Sequence, residues 1–168
     1  MNTFDRVDAS RSRENRDFGK GFYLTSNREQ AILWAKRKAS MINESDSPNL
    51  VMPMIIVCTI KMKNIEKSYH FKSFGQDFSE ELLNYLVFNR LDRGNTSAFP
   101  EYDAVFGLVA DGTSLDKTLE SYKNSDLDFK EAKSSIEYKS FQSQICLKNQ
   151  KLLDSGRFKI KEKKLIKE

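Results

Sequence analysis

The sequence predicts an α+β fold: a mixed or largely antiparallel β-sheet with flanking helices. Three observations carry this. Helical patterns sit early and in the middle of the chain. β-Branched, apolar runs are interspersed among them. No regular strand–helix–strand rhythm joins the two kinds, which argues against a parallel doubly wound sheet.

The elements follow in order. Residues 1–20 are polar and charged and read as an extended loop. Gly21 to Thr25 is a short strand. Ser26 and Glu29 have the spacing of a capping box, in which each side chain satisfies the other's free backbone donor. The helix they open runs to about Ile42, with Ala31, Trp34, Ala35, Ala39 and Ile42 as its apolar stripe. Residues 43–50 (NESDSPNL) form a loop by composition. Met54 to Met62 reads as a buried strand and Tyr69 to Phe74 as a shorter one. Ser79 caps a helix to about Arg93, with Leu82, Leu83, Leu86 and Phe88 as its apolar content. Residues 94–101 are a loop, and Tyr102 to Ala110 a second buried strand. Leu115 to Tyr122 is helical. Asp128 and Glu131 form a second capping box, starting a helix to about Tyr138. Gln142 to Leu147 and Phe158 to Ile166 are the closing strands.

The 168 residues suit one domain, long enough to bury roughly 70% of the unfolded surface without a staple. Twelve Phe, six Tyr and one Trp exclude wholesale disorder. The longest apolar run, Met52 to Ile60, is interrupted by Pro53 and Thr59 and falls short of the ~20 residues of a membrane span; no membrane partner is expected. The first sixteen residues carry no apolar signal region. Cys58 and Cys146 lie in strand-like runs and read as reduced core residues, which points to a cytoplasmic protein. Neither is spaced to a second metal ligand, and no metal is expected. The net charge of +4 lies entirely in residues 156–168, with six basic and two acidic side chains. Two readings stay open: lysines guarding an edge strand, or a basic strip for an anionic partner. Lys159, Lys161, Lys163 and Lys167 alternate and would share one face, with a bend at Lys164.

Several chemistries are excluded. The single histidine, His70, has no nucleophile or acid patterned around it and reads as structural. There is no Walker A loop and no G-x-G-x-x-G. Asp126 and Asp128 lack the Gly and Glu spacing of a calcium loop.

The unusual stretch is Asp17-Phe18-Gly19-Lys20-Gly21-Phe22-Tyr23-Leu24-Thr25, followed eleven residues after Tyr23 by Trp34. Two rings at this spacing either belong to the core or sandwich a flat ligand, at roughly 0.5–1.5 kcal/mol per stacked pair beyond burial. This segment resembles the second motif of the ADP-ribosyltransferase superfamily, in its poly(ADP-ribose) polymerase branch. The chain is more similar to a bacterial family of small uncharacterised proteins related to that branch. The likeness rests on Ser12-Arg13, Asp17 to Thr25, Gln30-Ala31, Trp34-Ala35, Asn89-Arg90, Tyr102-Asp103 to Asp111, Gln144-Ile145 and Gly156 to Phe158. It covers residues 7 to about 160.

The resemblance implies a split, mixed or antiparallel β-sheet whose cleft binds NAD as substrate. It implies an NAD-dependent mono-ADP-ribosyltransferase-like protein, a toxin or defence effector transferring ADP-ribose to a protein or nucleic-acid acceptor, with a neutralising partner protein. Tyr23 and Gln144 would be the catalytic pair, Tyr23 stacking on nicotinamide and Gln144 facing the ribose. Arg13, Gly21, Thr25 and Trp34 would join Tyr23 in holding the cofactor, Arg13 beside the diphosphate. Tyr138, Phe141 and Gln142 would meet the acceptor; a Gln at 142, where arginine-modifying relatives carry Glu, disfavours an arginine acceptor. Two departures stand out. The superfamily's first strand, with its His-Gly or Arg-Gly pair, would fall before Met1: either the true start lies upstream, or the single domain 1–168 is without the first NAD-binding strand, and as it stands it is expected to turn NAD over poorly. The usual Glu is Gln144, which hydrogen-bonds a hydroxyl but serves neither as base nor as anion. The alternative is a truncated or inactive relative that binds NAD, nucleic acid or a protein.

Overall fold

The computed structural model describes residues 6–45, 50–92 and 97–166, with the backbone alone at Ser140 and Phe141. A 3-10 turn, Ala9–Arg11, precedes strand β1, Phe22–Leu24. Helix α1 spans Arg28–Asn43, strand β2 Met54–Ile60 and helix α2 Met62–Ser68. Strand β3 is Phe71–Ser73, helix α3 Glu80–Arg90 and strand β4 Ala104–Asp111. Helices α4 (Leu115–Lys123) and α5 (Phe129–Ser135) lead to strand β5, Glu137–Leu147. Helix α6, Gln150–Asp154, and strand β6, Phe158–Leu165, close the chain.

The fold class is mixed α and β with flanking helices, as the sequence predicts. One sheet has the order β1-β5-β4-β3, antiparallel except for the parallel β3–β4 pair; β2 and β6 form a separate antiparallel ribbon. Directly paired antiparallel residues share a sheet face. Tyr23 pairs with Cys146, and Cys146 with Val105, so these three face one way. Phe22, Leu147 and Ala104 face the other. Each face has its own core. Leu82, Leu83, Tyr85 and Leu86 of α3 cover the first, together with Phe18. Val7, Ile65, Leu152 and Phe158 cover the second.

Several boundaries differ from expectation for local reasons. The cap of α1 is Asn27, whose side chain accepts the Gln30 N–H, and not Ser26. Thr25 Oγ1 takes the Asn27 N–H, so the chain bends at Ser26 and the extended residue that caps the helix is Asn27. The Asp128–Glu131 capping box is present with both its bonds, but α5 stops at Ser135. Buried Ile136 is already extended, so Tyr138 is a strand residue and β5 is nearly twice the expected length. Helices α2 and α6 escape a periodicity reading because seven and five residues cannot show a full apolar stripe. Met62 is thereby helical, and β2 has one strand partner and only Ile55 fully buried. In β6 the register slips where Val57 pairs with Glu162 and Cys58 with Ile160, which leaves Lys161 as the extra residue. The lysine alternation therefore breaks at Lys161, and the strand runs on through Lys164. Lys159, Lys161, Lys163 and Lys164 are exposed; Lys167 lies outside the described residues. Both cysteines are free thiols, Cys146 buried and Cys58 half-buried. Among the described residues no helix is long and apolar enough to cross a membrane.

Candidate functional site

The loop before β1, Asp17 to Gly21, lies on the first sheet face, and its glycines explain how closely. Gly19 has φ +76°, a left-handed value that costs a β-carbon dearly, and such an atom would meet Asn89 Oδ1 at 2.6 Å. At Gly21 it would run into the Cys146 sulfur and stand 2.9 Å from the Leu147 carbonyl. The loop thus touches both the end of α3 and the last residues of β5. Gly21 N–H donates to Ser12 Oγ at 2.7 Å, which ties in the preceding segment.

Tyr23 secures this loop. Its hydroxyl donates to the Gly19 carbonyl at 2.7 Å and accepts the Phe18 N–H at 3.0 Å. Its ring stacks on Phe18, with centroids 6.2 Å apart. Burial holds its hydroxyl well above the usual phenol range. Burial also pushes the neighbouring Cys146 thiol up to about 12, so Cys146 is a neutral core thiol and no nucleophile.

Behind the loop lies a polar network centred on the buried Asp17 carboxylate. Asp17 Oδ1 takes Arg90 Nη1 at 2.7 Å, and Asp17 Oδ2 takes Gln144 Nε2 at 2.9 Å. The Ala110 backbone N–H also donates to this carboxylate. Arg90 Nε reaches on to Asp116 Oδ1 at 2.7 Å. Four elements meet here: the loop, the end of α3, the start of α4 and β5. Desolvation raises the Asp17 pKa, against the lowering pull of Arg90, Gln144 and Ala110.

Gln144 is two residues from Cys146 along β5, so it shares the face of Tyr23. Both touch the same loop, Tyr23 at Phe18 and Gly19, Gln144 at Asp17. Thr25 is a junction residue: its hydroxyl contacts Gln30 Oε1 at 2.7 Å and the Ser143 carbonyl at 3.1 Å. Arg13 is exposed, next to Ser12, with no ion-pair partner among the described residues. Trp34 is set apart. It is 47% exposed on α1, with the Arg37 guanidinium 5.4 Å from its ring centre, and no ring contact joins it to Tyr23. Tyr138 packs on Phe78, centroids 4.9 Å apart. It pairs with Ala110, beyond an irregularity that separates it from the Ser143–Leu108 pair. Gln142 lies half-buried within that irregular stretch, and the Phe141 side chain lies outside the described residues. His70 is tied at Nδ1 to the Glu101 carbonyl, at 2.8 Å, and packs edge-on to Tyr102.

Asp17, Arg90, Asp116 and Asn89 are site residues that reading for catalytic types misses. Asp17 and the Asn89-Arg90 pair stand inside the motifs, but nothing in their spacing shows that they meet. Among the described residues no cluster of His, Cys, Asp or Glu is arranged to hold a metal ion.

Searches of curated proteins and of solved structures return no match. A family described as a protein of unknown function, DUF3990, matches residues 1–158. With nearly the whole chain covered, the protein belongs to the DUF3990 family.

Proposed function

We propose that this chain is an NAD-dependent mono-ADP-ribosyltransferase-like protein, an effector of the toxin or defence kind that acts in the cytoplasm on a macromolecular acceptor and is held in check by a partner protein. In that reaction the bond between the nicotinamide nitrogen and the ribose C1′ breaks, and nicotinamide leaves with the bonding pair. The acceptor's nucleophile then bonds C1′ and gives its proton to water. The protein's tasks are to orient the two halves of NAD and to exclude competing water.

One observation supports this reading above the others. The strands bearing Tyr23 and Gln144 are hydrogen-bonded neighbours, and both side chains stand on one sheet face against the Asp17–Gly21 loop. The sequence likeness requires that juxtaposition, and unrelated core positions would not need it. Arg13, exposed beside the loop, is available to a diphosphate. The Tyr23 ring has Phe18 on one side, so nicotinamide has at most its other face, and a sandwich needs the Trp34 ring to be brought over it.

A second reading, binding without turnover, is favoured by the amide at Gln144 and by the Tyr23 hydroxyl being spent on the loop. Titration calorimetry with NAD, followed by measurement of released nicotinamide, separates the two. The transferase reading predicts binding heat and slow release; the binding reading predicts heat alone. Neither signal from folded protein would overturn both. Transfer of a labelled ADP-ribose to added protein or nucleic acid identifies the acceptor class.

A further inference from the structure

We propose that the buried Asp17 carboxylate is a positioning group that turns the Gln144 carboxamide so that its oxygen alone is offered to a ligand, as an acceptor for a hydroxyl. A carboxylate has lone pairs and no hydrogens, so the group of Gln144 that faces it at 2.9 Å must be the NH2. Asp17 is itself held on both oxygens, Arg90 on Oδ1 and Gln144 on Oδ2, so neither member of the pair can turn independently. Gln144 Oε1 has no protein donor among the described residues. It is not among the buried polar side-chain atoms left without a partner, of which Arg157 Nε is the described case. It therefore reaches solvent. The site so built asks for an O–H donor and discriminates against carboxylate or phosphate at this point. That the hydroxyl belongs to the NAD ribose rests on the transferase reading; the orientation of Gln144 does not.

The same geometry gives a physical reason for an amide at this position. A glutamate there would bring two carboxylates to hydrogen-bonding distance, and one would have to hold a proton. Gln144→Glu, which writes the superfamily's more usual residue into the site, is thus expected to harm the protein. Among the described residues, the charged and titratable groups around Asp17 are Arg90 from α3, Asp116 from α4 through Arg90, Tyr23 from β1 and Cys146 from β5. Tyr23 and Cys146 stay neutral between pH 5 and 8, and Arg90 stays charged.

The test uses the full chain and three variants, Asp17→Asn, Gln144→Glu and the double exchange. In the unaltered protein the Gln144 side-chain NH2 should exchange its hydrogens about tenfold more slowly than a free glutamine amide, and Asp17→Asn should abolish that protection. Gln144→Glu should lower Tm by about 4–8 °C at pH 8 and by about half as much at pH 5, where a shared proton bridges the pair. The double exchange should recover most of the loss, because an asparagine NH2 then faces the glutamate. Nicotinamide release should follow the same order, with kcat falling more than KM changes. An unprotected Gln144 amide in the unaltered protein, a pH-independent Gln144→Glu deficit, or no recovery in the double exchange would overturn the proposal. Absence of NAD turnover with the amide protected would overturn the transferase reading alone.

Discussion

Arg90→Met is the sharpest perturbation of the buried network. Arg90 holds Asp17 and Asp116 at 2.7 Å each, and the Asp17 side chain is only a tenth exposed. Methionine keeps much of the aliphatic stem, so packing is largely retained and the charge is what goes. Asp17 is left with the Gln144 amide and the Ala110 N–H. Removing one partner of a buried pair costs about 3–5 kcal/mol. The protein has an escape, because Asp17 can take up a proton instead. Protonating a carboxyl of ordinary pKa near 3.9 costs about 4 kcal/mol at pH 7 and about 1.5 kcal/mol at pH 5. The smaller cost governs, so the expected loss is about 3–4 kcal/mol at pH 7 and about 1.5 kcal/mol at pH 5. The sign follows from linkage. In the variant the folded-state pKa of Asp17 lies above its unfolded value, so the native state holds a proton that the unfolded chain releases. Stability is then lost as pH rises from about 4 through the folded-state pKa. Urea unfolding at the two pH values, with the slope unchanged, reads both losses. A deficit below about 1 kcal/mol at pH 7, or one equal at both pH values, would show that Asp17 and Arg90 are not a buried pair.

Four further outcomes are expected. Gly21→Ala should cost about 1–3 kcal/mol in urea unfolding, because the new methyl meets the Cys146 sulfur and the Leu147 carbonyl, and backbone cannot yield as a side-chain end can. Tyr23→Phe keeps the ring on Phe18 but strands the Phe18 N–H and the Gly19 carbonyl; a loss of about 1–3 kcal/mol and faster amide exchange at Phe18 should follow. A thiol reagent should leave Cys146 untouched in native protein and label both cysteines in denaturant, since burial keeps the Cys146 thiol neutral. Replacing Lys159 and Lys161 by Gln should leave stability within about 0.5 kcal/mol. Static light scattering should then show more aggregation if these lysines guard the β6 edge.

The long elements were legible because their side chains repeat at the period of their own backbone. Leu82, Leu83 and Leu86 mark α3, and the Val105–Ala110 run marks β4. Asp128 and Glu131 announce α5 through a short-range exchange of hydrogen bonds. What failed is what depends on distant residues. Ser26 and Asn27 are both good caps, and only the Thr25 hydroxyl, anchored to Ser143 across the strand, decides between them. Tyr138 reads as the end of a helix until Ala110 is brought opposite it. At the site, Tyr23 and Gln144 are marked by motif. Asp17 and Arg90 lie 73 positions apart, and Asp17 and Gln144 127 apart, so no spacing rule joins them. Trp34 is the converse case: the eleven-residue spacing suggests a shared cleft with Tyr23, and in the structure its ring is half-exposed on α1 beside Arg37, with no ring contact to Tyr23.

The measurement that bears most directly on the account is NAD titration of the folded chain beside its Gln144→Leu variant, with nicotinamide release followed in the same samples. The account predicts NAD binding by the unaltered chain with slow release. It predicts weakening in Gln144→Leu of about 0.5–1.5 kcal/mol, the worth of one hydroxyl–amide hydrogen bond, with thermal stability still sufficient for folding at the assay temperature. Equal NAD binding by both proteins, or none by either at millimolar NAD, would contradict it.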